Sequence, residues 1–192
     1  MRIIGGKFRG HVLRDLNHHH KLIRPTSDKI RESIFDLIEH KWPGKINHET
    51  RVLDLFAGTG ALGFEALSRG SSFSLFVDND IRSCDLLRCN IEILKVDRIS
   101  KVLSRDATQL GNLCNMKKFD LVFVDPPYAQ TKKIVPSTVK RLRHGQWMSD
   151  CALLIVEGKP CDLPQLLSGF EQLESRTYRK TKIGCFIYRM DK

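Results

Sequence analysis

From Thr50 onward the chain alternates short, continuous apolar runs with stretches of helical periodicity, and no other feature limits its fold so closely. Apolar runs at residues 52–56, 73–78, 102–104, 119–125 and 152–157 are short and bounded by polar or glycine-containing segments. They read as strands covered on both faces. Between them, residues 61–68, 81–94 and a region around 133–142 space their apolar side chains as helices do. Strands and helices in alternation connect by right-handed crossovers, which predicts a doubly wound, mostly parallel α/β sheet. Two β-like runs at 173–178 and 183–188 complete the pattern as a terminal hairpin that adds an antiparallel strand.

Ahead of this pattern, residues 1–25 alternate apolar and basic groups and predict a small N-terminal β-hairpin extension with its turn at Phe8-Arg9-Gly10. The remainder, 26–192, forms the main domain. It opens with a helix start at Pro25-Thr26-Ser27-Asp28, after which Ile30, Ile34, Leu37 and Ile38 recur until Trp42-Pro43-Gly44. A chain of 192 residues buries a sufficient core without disulfides or metals. The six cysteines form no C-x-x-C pair and read as reduced thiols, and His18-His19-His20 lacks acidic or thiolate company, so no metal is expected. No apolar run approaches the roughly 20 residues that cross a bilayer. The first ten residues hold charges and glycines in place of a leader's apolar stretch, so the expectation is a cytoplasmic protein with no membrane role. No repeated apolar stripe demands a dimer, and a monomer is expected.

Charge narrows the partner. Lys and Arg number 32 against 22 Asp and Glu, a net +10 that favours a polyanion. Before Glu32 stand Arg2, Lys7, Arg9, Arg14, Lys21, Arg24, Lys29 and Arg31 against only Asp15 and Asp28. A second run, 132–143, holds five basic residues and no acid. Basic side chains that merely keep the protein soluble are the competing reading.

Three sites fall at the ends of predicted strands. Gly58-Thr59-Gly60-Ala61-Leu62-Gly63 is a G-x-G-x-x-G loop between a strand and a helix, where the backbone can approach a ligand closely. Asp78, with Asn79 beside it, ends the second strand and is placed to bind ribose hydroxyls of an adenosine-containing cofactor. A dinucleotide satisfies that much equally well. Asp54 favours another ligand: a carboxylate facing the loop suits a cationic amino acid group and repels a pyrophosphate. Phe56, Gly58 and Gly60 belong to the same candidate cofactor site. Asp106 and Ala107 follow the third strand, where Asp106 can accept from an adenine amino group or simply cap a helix.

Asp125-Pro126-Pro127-Tyr128 directly follows the apolar strand residues Leu121-Val122-Phe123-Val124 and is the strongest signal for chemistry. Prolines have no N–H, so this stiff turn offers carbonyl oxygens without competing donors. An exocyclic amino group has two hydrogens, which the Asp125 carboxylate and the Pro126 carbonyl can accept together, while Tyr128 stacks on the base. A proline-rich turn that only closes a strand is the alternative.

These residues resemble the class I S-adenosylmethionine-dependent methyltransferases, and within them the RsmD family of ribosomal RNA guanine-N2 methyltransferases. The resemblance spans nearly the whole chain: Met1-Arg2-Ile3-Ile4-Gly5-Gly6 with Arg9-Gly10, Arg24-Pro25-Thr26-Ser27-Asp28, Arg31-Glu32-Ser33-Ile34-Phe35, the run from Val52 to Gly63, Glu65-Ala66-Leu67-Ser68-Arg69-Gly70, and Asp125-Pro126-Pro127-Tyr128. The last tetrad is shared by several amino-methylating groups; the N-terminal basic motifs and the run around Glu65 are more specific. Asp78 departs from the pattern, standing where a glutamate is frequent. The resemblance implies a Rossmann-like, seven-stranded sheet with one antiparallel strand, S-adenosyl-L-methionine as cofactor, and methylation of a guanine N2 in small-subunit (16S) ribosomal RNA or an assembling 30S particle. Arg2, Lys7, Arg9, Arg24, Thr26 and Arg31 then become the expected RNA contacts. Three rivals stay open: an N6-adenine methyltransferase acting on DNA or RNA, a nicotinamide-dependent oxidoreductase, and a noncatalytic RNA-binding module.

Overall fold

The computed structural model describes residues 1–15, 28–42, 45–127, 130–162 and 169–189. Its centre is a seven-stranded sheet: β1 (Arg51–Leu55), β2 (Phe73–Asp78), β3 (Ser100–Ser104), β4 (Phe119–Val124), β5 (Met148–Gly158), β6 (Phe170–Tyr178) and β7 (Thr181–Tyr188), in the order β3-β2-β1-β4-β5-β7-β6. All pairings from β3 across to β5 are parallel. β7 runs antiparallel to both β5 and β6, so it is the one reversed strand. The expected terminal hairpin is present, with β7 inserted between β5 and β6.

Burial explains the apolar runs. Leu53, Leu55, Val122 and Val124 face one side with helix α4 (Thr131–His144), while Val52, Leu121 and Phe123 face the other with α1 (Asp28–Lys41) and α2 (Ala61–Ser68). Helix α3 (Ile81–Leu94) packs beside α2 through Leu87 and Ile91 against Phe64 and Phe76. Each central strand is thus covered twice, which is why hydrophobic alternation is missing from its sequence. Two elements exceed their expected lengths. β5 begins at Met148, and its register with β4 shifts around Cys151, whose φ is +61°; the polar Ser149-Asp150 pair hides this extension. α4 continues through Pro136, a residue that removes one internal hydrogen bond and argues locally against a helix.

Residues 1–15 lie along α2. Arg2 bridges Val12 in antiparallel fashion, Ile3 N–H donates to His11 O (3.0 Å) and Leu13 N–H to Met1 O (2.8 Å). The chain reverses over residues 5–10, a wider turn than Phe8-Arg9-Gly10, with Gly6 and Gly10 at φ +74° and +85°. Ile3 and Leu13 are each 2% exposed and bury against Phe64, Leu67 and Leu87. No described helix is long and apolar enough to cross a membrane.

Candidate active site

Strand register brings the candidate residues to one edge. Leu55, the last residue of β1, pairs with Val77 of β2 on one side and Val124 of β4 on the other. The glycine loop, Asp78 and Asp125 therefore leave the sheet side by side. Strand order reverses between β1 and β4, and a crevice opens at such a point in doubly wound sheets.

On the β2 side the carboxylates are held by backbone amides. Gly58 N–H donates to Asp78 Oδ2 (2.8 Å) and Asp80 N–H to Asp78 Oδ1 (2.9 Å). Each oxygen can accept a second bond, as ribose hydroxyls would require. Asp54, 2% exposed, accepts from Gly63 N–H at 2.9 Å. Burial pushes its pKa up to about 8; the Gly63 hydrogen bond opposes this and the charge of Asp78 adds to it. Asp106 Oδ1 accepts from the N–H and hydroxyl of Thr108 (2.8 and 2.7 Å), capping the short turn Ala107–Gln109. Asn79 is exposed and Ala107 is buried.

Two glycines are dictated by space. Gly60 has φ +78°, and a Cβ there would meet the Phe64 ring at 2.5 Å. At Gly63 a Cβ would lie 2.3 Å from the Phe76 ring, so only glycine lets α2 sit this close to the sheet. Over Gly58, in contrast, a Cβ would find only Phe56 O within 4 Å, at 3.9 Å, so the loop's outer surface is open to a ligand. Phe56 holds φ +59°, a left-handed backbone that costs a bulky residue about 1–3 kcal/mol, at the point where the chain leaves β1 for the glycine loop.

On the β4 side Asp125 is half-buried, Pro126 buried and Pro127 exposed. Tyr128, Arg24, Thr26 and His18-His19-His20 lie outside the described residues.

Residues 1–187 match the family model described as Conserved hypothetical protein 95. Ribosomal RNA small subunit methyltransferase D of Haemophilus influenzae is 33% identical over 170 residues, covering 86% of this chain and 83% of the relative. The protein of the same name from Escherichia coli K12 is 33% identical over 159 residues, covering 83% and 75%. The solved structure of Escherichia coli yhhF has a TM-score of 0.82 at 28% identity and covers 98% of each chain. The chain belongs to the RsmD family of S-adenosylmethionine-dependent methyltransferases.

The family's cofactor fits the residues present. A buried carboxylate, an open glycine loop and a second carboxylate with spare acceptor capacity suit S-adenosylmethionine, which has a cationic amino acid end and a ribose.

Among the residues expected to touch RNA, Arg31 requires correction. It is 1% exposed, and its guanidinium donates to Arg2 O (2.6 Å) and Asp28 Oδ1 (2.9 Å), with Glu65 at 3.8 Å. Arg31 shares the buried stripe of α1 with Ile34, Phe35 and Ile38, so its helical position turns it inward despite its charge. Arg2 is exposed and pairs with Asp28 at 3.4 Å. Lys7 and Arg9 are exposed, but Lys7 N–H donates to the carbonyl of Ser68, the last residue of α2. The Lys7 backbone is thus anchored at the end of α2 away from the glycine loop, a helix about 12 Å long.

Two buried residues that tie this RsmD member together are not evident from composition. Glu65 accepts from Ile4 N–H and Gly5 N–H (both 2.8 Å) and from Arg69 Nε (2.9 Å). Asn90 accepts from Arg14 N–H (2.8 Å) and donates to Arg14 O and Thr59 O (3.2 and 3.3 Å), joining the N-terminal segment to the glycine loop. A lone acid within the otherwise apolar run of α2 is the one signal that points to Glu65.

Proposed function

We propose that the chain methylates the exocyclic N2 of a guanine in small-subunit ribosomal RNA. The observation that carries this reading is the register that sets the end of β4 beside the end of β1. An amino group held at Asp125 and Pro126 then lies next to the cofactor crevice. The names of the Haemophilus and Escherichia relatives support ribosomal RNA as the substrate.

Asp54, Phe56, Gly58 and Gly60 hold the amino acid end of the cofactor, Asp78 and Asn79 the ribose, and Asp106 and Ala107 the adenine. S-adenosylmethionine supplies an electrophilic methyl on its sulfonium. Asp125 and the Pro126 carbonyl accept the two hydrogens of the guanine amine, which aims the nitrogen lone pair along the line of transfer. The nitrogen loses a proton readily once alkylated, so Asp125 acts mainly by orientation. Pro127 stiffens the turn and Tyr128 stacks on the base, which must be unpaired or flipped out to reach it. Residues 1–25 serve as a basic arm on the catalytic domain 26–192, and Arg2, Lys7, Arg9 and Arg24 of the arm, with Thr26 at the start of the domain, contact flanking phosphates. The protein acts as a cytoplasmic monomer on the RNA or the assembling 30S particle.

The test is methyl transfer from labelled S-adenosylmethionine to small-subunit particles that lack their own modifications, followed by nucleoside analysis. N2-methylguanosine is expected. N6-methyladenosine would keep the fold and replace the substrate, and cofactor binding without any transfer would make the chain an RNA-binding module.

A further inference from the structure

Helix α4 follows the Asp125-Pro126-Pro127 turn and lies on the face of the sheet opposite to residues 1–15. Val135, Val139 and Leu142 are buried in the core, whereas Lys133, Ser137, Lys140 and His144 recur at i, i+4, i+7 and i+11 and are all exposed. Lys132 and Arg141 flank that stripe and are also exposed. The 14-residue helix, about 21 Å long, contains no acid.

Helix stability accounts for Arg141, in the last turn where the macrodipole favours cations, but neither it nor general solubility explains the rest of this pattern. Lys132 and Lys133 occupy the first turn, where the macrodipole favours acids and disfavours cations. The other exposed helices mix their charges: Arg82 pairs with Asp80 and Arg88 with Asp85 around α3, and Lys41 of α1 pairs with Glu174. Among the described residues, no ion pair involves Lys132, Lys133, Lys140 or Arg141.

We propose that the outer face of α4 is a second phosphate-binding surface, which holds the RNA backbone on the side of the target base away from the N-terminal arm. The proposal rests on the RNA methyltransferase reading. An RNA strand that delivers a base to Asp125 crosses the sheet edge, and it meets the exposed cations of α4 as it leaves. The occupant is a nucleic acid backbone because lysine and arginine along one helix face offer charge without an apolar patch, as phosphate contacts require and protein docking surfaces do not.

The experiment compares wild type with the full-length variant Lys132→Gln, Lys133→Gln, Lys140→Gln, Arg141→Gln. RNA affinity is measured against salt, on naked small-subunit ribosomal RNA and on unmodified particles, with S-adenosylmethionine affinity and melting temperature as controls for folding. The expected result is unchanged cofactor binding, a loss of roughly 10- to 100-fold in RNA affinity at low salt, and a salt slope lowered by about 2–4. An unaltered affinity and slope in a variant facing a wild type that methylates RNA would overturn the α4 surface alone. A loss confined to particles would overturn it in favour of a protein contact. Failure of wild type to bind or methylate RNA would sink the methyltransferase reading and this surface together.

Discussion

The two sides of the crevice are built on opposite plans. On the β2 side each carboxylate is already engaged by an amide: Gly58 holds Asp78, Gly63 holds Asp54, and Thr108 holds Asp106. On the β4 side Pro126 and Pro127 have no N–H to give, and the Pro127 carbonyl already accepts from Gln130 N–H (3.0 Å). The carboxylates of the β2 side are thus fixed by backbone amides, which two prolines in succession cannot supply on the β4 side. Mutations on the two sides should therefore separate cleanly into effects on cofactor affinity and effects on transfer.

The largest effect is expected on the acceptor side. Asp125→Ala should lower methyl transfer at saturating cofactor by about 100-fold or more, since misplacement by about an ångström is that costly, while calorimetry finds S-adenosylmethionine affinity unchanged. A parallel loss of affinity would break the division.

Next comes Glu65, which supports the cofactor side from below. Glu65→Ala leaves the Ile4 and Gly5 amides and the buried Arg31 short of a partner, and should cost about 3–5 kcal/mol in denaturant unfolding. Protein that remains folded should bind the cofactor as wild type does.

Asp78→Ala should weaken S-adenosylmethionine by roughly 10- to 100-fold, the worth of one or two hydrogen bonds to a charged acceptor. At saturating cofactor the transfer rate should recover. A rate that stays low would show that Asp78 also serves the acceptor side.

The smallest effect is graded with pH. Burial pushes the Asp54 pKa up to about 8, well above its value of 3.8 when exposed, so the folded protein without ligand binds a proton there. That contribution to stability is complete below the unfolded value and is lost as pH rises through about 8. A cationic amino group must displace the proton. Cofactor affinity should therefore tighten by up to about tenfold per unit from pH 6 toward 8, and Asp54→Asn should remove the slope. A slope that survives in Asp54→Asn would place the titrating group elsewhere.

Much of this architecture can be read directly from the residues. Short apolar runs betray strands covered twice, and the positions of Gly58, Asp78 and Asp125 at strand ends suffice to gather them at one edge. Distance along the chain conceals the rest. Arg31 looks like a surface cation until its place on the buried stripe of α1 is known. Asn90 lies 31 residues from Thr59 and 76 from Arg14, and no local pattern marks it as their link. Pro136 argues locally for a break that the packing of Val135, Val139 and Leu142 overrides.

Strand β7 leaves a mark on how the sheet must be assembled. It is made after β6 yet lies between β6 and β5. β6 joins the sheet only through β7, with which it forms a hairpin closed between Tyr178 and Thr181. The far edge of the sheet therefore depends on a strand made after the one it carries.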